Sequence, residues 1–97
     1  MQLIKLQHID PTRSTIEMDK DKYDLLKRLV IKILLKKRER SFEQLLVDVS
    51  QELSDTDTVV KGSMQWNLGW VSMDMEAKHE LFKDDTVEPP RYSIAKT

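Results

Sequence analysis

The amino-acid sequence predicts a mainly α (α+β) domain: three helices, a two-stranded β-hairpin at the C-terminal end, and an N-terminal arm. Three observations predict it. Apolar residues recur at helical spacing in three separate stretches, Tyr23 to Leu34, Phe42 to Leu53 and Leu68 to Met75. The series Ser41-Phe42-Glu43-Gln44 is a capping box, in which the Ser41 hydroxyl accepts the Gln44 backbone N–H and the Gln44 side chain returns to Ser41. Two short half-apolar runs, Leu81-Phe82-Lys83 and Arg91-Tyr92-Ser93-Ile94, flank a loop with Pro89-Pro90, a pair that cannot sit inside a paired strand.

Length and composition bound the answer further. A chain of 97 residues has room for one core of helices and not for two, so residues 1–18 are expected as an arm and residues 19–97 as a single domain. A charged fraction of 34% against a hydrophobic fraction of 39% fits neither a disordered polyelectrolyte nor a membrane protein. The longest apolar run, Leu29 to Leu35, is interrupted by Lys32 and falls far short of the ~20 residues that cross a bilayer. With Lys5 inside the first apolar patch and no signal-peptide pattern, a cytoplasmic protein is expected, with no membrane partner. Zero cysteines remove disulfides, thiolate catalysis and the usual structural zinc sites together.

In chain order, Leu3, Ile4, Leu6 and Ile9 form a brief apolar segment that Asp10-Pro11 ends. It has too little apolar surface to fold alone, and an arm lying across the domain is expected. Arg13, beside Thr12, Ser14 and Thr15, belongs to a turn that can touch a phosphate. Asp19 is placed to cap the first helix, with Asp21 in its first turn. Tyr23, Leu26, Val30, Ile33 and Leu34 then make one stripe, widened by Leu29, as far as about Lys37. Ile31 and Leu35 lie off the stripe, which predicts cover on a second side. Phe42, Leu45, Leu46, Val49 and Leu53 stripe the second helix, and the short connection Arg38 to Arg40 makes the two helices neighbours. Residues from Ser54 to Gly62 have turn composition around Val59-Val60. The last helix starts between Ser63 and Asn67. At about 100° per residue, Leu68, Val71 and Met75 share its core face, while Trp70, Met73 and Ala77 fall opposite. Gly69 weakens that helix by roughly 1 kcal/mol relative to alanine unless another chain segment approaches closely.

Three helices followed by a hairpin is the order of a winged helix-turn-helix domain. Met73-Asp74-Met75-Glu76-Ala77-Lys78-His79-Glu80-Leu81, followed by Arg91-Tyr92-Ser93-Ile94, resembles the helix end and wing that close many such domains. Together with Asp10-Pro11-Thr12, Asp19 to Tyr23 and Trp66 to Leu81, these residues are similar to a family of small uncharacterised bacterial winged helix-turn-helix proteins. The similarity spans most of the chain and implies the fold; that family brings no activity with it. Two departures stand out. His79 occupies a position where glycine is usual, and Ser72 one where lysine is usual, which removes a cation from a nucleic-acid surface.

Charge divides the chain. Between Lys20 and Arg40 nine Lys and Arg meet three Asp and Glu, whereas from Ser41 onward five meet eleven. The leading functional expectation is therefore a DNA-binding or transcription-associated module with duplex DNA as partner. Its candidate contacts are the basic ridge Arg28, Lys32 and Lys36, and the approach to the last helix, Lys61, Ser63, Gln65 and Asn67. Against it, the last helix carries Asp74, Glu76 and Glu80 opposed by Lys78 alone, and the wing carries Asp84, Asp85 and Glu88 opposed by Lys83 and Arg91. The alternative is a protein-interaction or self-associating domain without nucleic-acid binding. There Trp70, Met73 and Ala77 meet another copy or a partner protein, unless the arm covers them. No catalysis, cofactor, metal or small-molecule ligand is expected. Glu76-x-x-His79 has the spacing of carboxylate-bridged metal helices, but such sites need a second motif and more glutamates, and His8 is the only other histidine.

Overall fold

The computed structural model describes residues 2–7 and 15–95. Asp10-Pro11, Arg13 and the expectation of a phosphate contact there lie outside the described residues. The chain is α+β, with three helices and two small antiparallel sheets in the order β1 (Leu3–Leu6), β2 (Ile16–Asp19), α1 (Lys20–Lys37), β3 (Glu39–Ser41), α2 (Phe42–Asp55), α3 (Met64–Ala77), β4 (Leu81–Asp84) and β5 (Arg91–Ile94).

The residues expected as an N-terminal arm contain two paired strands. β1 runs antiparallel to β2, Leu3 opposite Asp19 and Leu6 opposite Ile16. Alternation along these strands turns Leu6 and Met18 into the core. The sequence reading saw one apolar segment in front of a proline and missed its partner, because Ile16 and Met18 are only two apolar residues among charged ones. Asp19 ends β2 and makes no side-chain cap; the Lys20 N–H is met instead by the Gln2 carbonyl at 2.8 Å.

The stripe of α1 is buried as expected, from Tyr23 to Leu34. Leu35, expected under a second cover, is 71% exposed. The helix stops at Arg38, whose left-handed backbone (φ 69°) returns its N–H to the Leu34 carbonyl. That turn aims the connection back along the domain as β3, so the residues expected as a plain linker are a strand. β3 pairs with β5, Glu39 opposite Ser93 and Ser41 opposite Arg91, and β5 also pairs with β4, Leu81 opposite Ile94. The expected two-stranded C-terminal hairpin is thus two-thirds of a three-stranded sheet in the order β3-β5-β4.

The capping box at α2 is formed in both directions, with the Gln44 N–H 3.2 Å from Ser41 Oγ and the Ser41 N–H 3.0 Å from Gln44 Oε1. Leu45, Val49 and Leu53 of α2 meet the α1 stripe and Leu68, Val71 and Met75 of α3 in one core. The basic and acidic halves of the sequence meet inside the fold: Lys32 bonds Glu52, while Lys37 and Arg40 both bond Asp48, each at 2.9 Å. Among the described residues, no helix is long and apolar enough to cross a membrane.

Candidate interaction face on the third helix

α3 begins at Ser63, whose hydroxyl accepts the Trp66 N–H at 3.2 Å. The turn before it depends on Gly62, which sits at φ 90° where other residues are strained. The Lys61 carbonyl there receives the Lys22 ammonium and the Asn67 side-chain amide, both at 3.1 Å.

Asn67, expected to reach toward bases, is 1% exposed and holds this turn together. That expectation is corrected: a buried amide needs its hydrogen bond and cannot also meet a ligand. Lys61 and Gln65 are exposed, and Ser63 is occupied as the cap. The Arg28, Lys32, Lys36 ridge is exposed, but it borders α2, where Lys32 is tied to Glu52. A groove lined by Lys32, Lys36 and Lys37 of α1 and by Asp48 and Glu52 of α2 runs there, one wall positive and the other negative.

Asp74 is the largest departure from the sequence reading, which counted it among the charges on an exposed helix surface. It is 0% exposed. Its carboxylate accepts the Gln7 backbone N–H at 2.8 Å, the Tyr23 hydroxyl at 2.5 Å and the Lys78 ammonium at 2.9 Å. One side chain thereby joins the β1 end, α1 and α3. Burial, then the hydrogen bond to Asp74, pushes the Tyr23 hydroxyl far above its ordinary range, so Tyr23 is a fixed donor here. The ammonium groups of Lys78 and Lys27 lie 5.4 and 5.7 Å from the Tyr23 ring centre, and Lys27 bonds Glu80. Helical projection held the clue: Asn67 and Asp74 are respectively four residues before and three after Val71, so they flank the core stripe.

His79 sits at φ 61°, and the turn around it is a Schellman closure: its N–H bonds the Glu76 carbonyl at 3.0 Å and the Glu80 N–H bonds the Met75 carbonyl at 2.8 Å. That explains in backbone terms the glycine usual at this position in the resembled family. Ser72, the other departure, is 1% exposed on the core side, with its hydroxyl oxygen unpartnered. A missing lysine at position 72 therefore takes nothing from the outward surface.

What remains outward on α3 is a stripe of Trp66, Trp70, Met73 and Ala77. Trp66 is 51% exposed, with its ring 6.4 Å from that of Trp70. Trp70, Met73 and Ala77 are half-buried, and Trp70 rests partly against the core. Among the described residues, the N-terminal strands meet the helix at Asp74, through the Gln7 backbone N–H. On the other flank, a Cβ at Gly69 would lie 3.9 Å from the Phe42 ring. Phe42 in turn lines a cleft with Lys83, Pro89, Pro90 and Tyr92. The β4–β5 hairpin is acidic at its loop: the Asp84 carboxylate accepts the Thr86 N–H, Lys83 lies 3.8 Å from Asp85, and Arg91 of β5 lies 3.7 Å from Glu39 of β3.

A family model spanning residues 3–92 matches this chain. The chain belongs to DUF6958, a family of unknown function. A search of the curated proteins finds no match to it, and a search of the solved structures finds none. Among the described residues, no group of three or more His, Asp or Glu is placed to hold a metal ion; Glu76 is half-buried near Tyr92, while His79 points to solvent.

Proposed function

We infer that this chain is a winged-helix-type module that works by protein contact through the outward stripe of α3, with no chemical step. The winged-helix reading is supported by the element order from α1 to β5 and by β3, which joins the β4–β5 wing in one sheet. In such a domain the third helix is the one that reads a major groove, using polar or basic side chains on its outward side. One observation carries the inference: Trp66, Trp70, Met73 and Ala77 form that side, and none is charged.

The surroundings support the same reading. Asn67 and Lys32 are committed within the fold, and the wing adds Asp85 and Glu88. Non-specific DNA affinity comes chiefly from cations that displace phosphate counterions, and few of the exposed cations here are near α3. Titration of labelled duplex DNA with micromolar protein at ~50 mM salt is expected to give no shift. A shift that weakens steeply with added salt, and that disappears when Lys61 and Gln65 are replaced by glutamate, would establish DNA reading instead.

A further inference from the structure

We draw no further inference here: the strongest candidate, the cleft between the first turn of α2 and the β4–β5 hairpin that Phe42, Lys83, Pro89, Pro90 and Tyr92 line, is a helix N-terminus beside an apolar wall, and nothing in the structure shows what covers it.

Discussion

Along the inward side of α3, Asn67 and Asp74 each have hydrogen-bond partners from other parts of the chain, and Leu68, Val71 and Met75 are fully enclosed. Along the outward side the same helix carries two indoles, a thioether and a methyl group, each still partly open. The inward side thus admits two buried polar residues beside its apolar ones, and the outward side carries apolar residues where an ordinary surface helix is polar. The difference teaches that buried polarity on this helix reports commitment to the fold, because Asn67 and Asp74 are each held there by a bond to another part of the chain. Replacing residues on the two sides should therefore have opposite consequences, one set for stability and the other for association.

The largest expected effect is at Asp74. Alanine there strips the acceptor from a backbone N–H, a tyrosine hydroxyl and an ammonium at once, and leaves the tyrosine hydroxyl buried. A loss of about 3 kcal/mol or more is expected, read as a fall of at least ~12 °C in Tm. A loss below ~1 kcal/mol would mean that the joint between hairpin, α1 and α3 is not where the fold is held.

Alkaline titration tests the flank of the helix. Burial, then the nearby Glu76 and Asp85 carboxylates, pushes the Tyr92 hydroxyl up to about 12. In the unfolded chain it ionises near ~10. The folded value is the higher one, so this contribution is complete below pH ~10 and is lost as pH rises from there toward ~12. Wild type should lose about 2–3 kcal/mol more than Tyr92→Phe across that window, measured by urea unfolding at each pH. Equal slopes for the two proteins would remove the electrostatic link between α3 and β5.

How much of this was legible in the sequence follows the same division. The stripes of α1, α2 and α3 and the capping box at Ser41 could be read because they depend on local spacing and local hydrogen bonds, which short stretches encode. β1 pairing with β2, and β3 joining β5, could not, since each strand has three or four residues and its partner is fixed by the fold around it. The acidic count on α3 misled because composition ignores angle. Asp74 follows Val71 by three residues, and a projection would have set it against the core. Trp70, Met73 and Ala77 were legible as an outward group, but Trp66, whose ring lies 6.4 Å from that of Trp70, was not assigned to it.

Two smaller changes sharpen the contrast by adjusting the helix without touching either set of contacts. His79→Gly relieves a side chain held at φ 61°, and should stabilise by about 1 kcal/mol while the Schellman closure persists. Gly69→Ala places a methyl in ordinary contact with the Phe42 ring at 3.9 Å and removes the flexibility of a mid-helix glycine. A gain of about 0.5–1 kcal/mol in chemical denaturation is expected, and a loss would show that Phe42 needs that gap.

Trp66→Ala should have the smallest effect of all on the monomer. Half of the indole is already in water, and its ring neighbour Trp70 keeps its own contact with the core. In dilute solution the change should stay within ~0.5 kcal/mol, although the residue is among the largest in the chain. If dilute Trp66→Ala instead lost as much stability as Asp74→Ala, the outward side of α3 would be structural after all, and the two sides of the helix would cease to differ in kind.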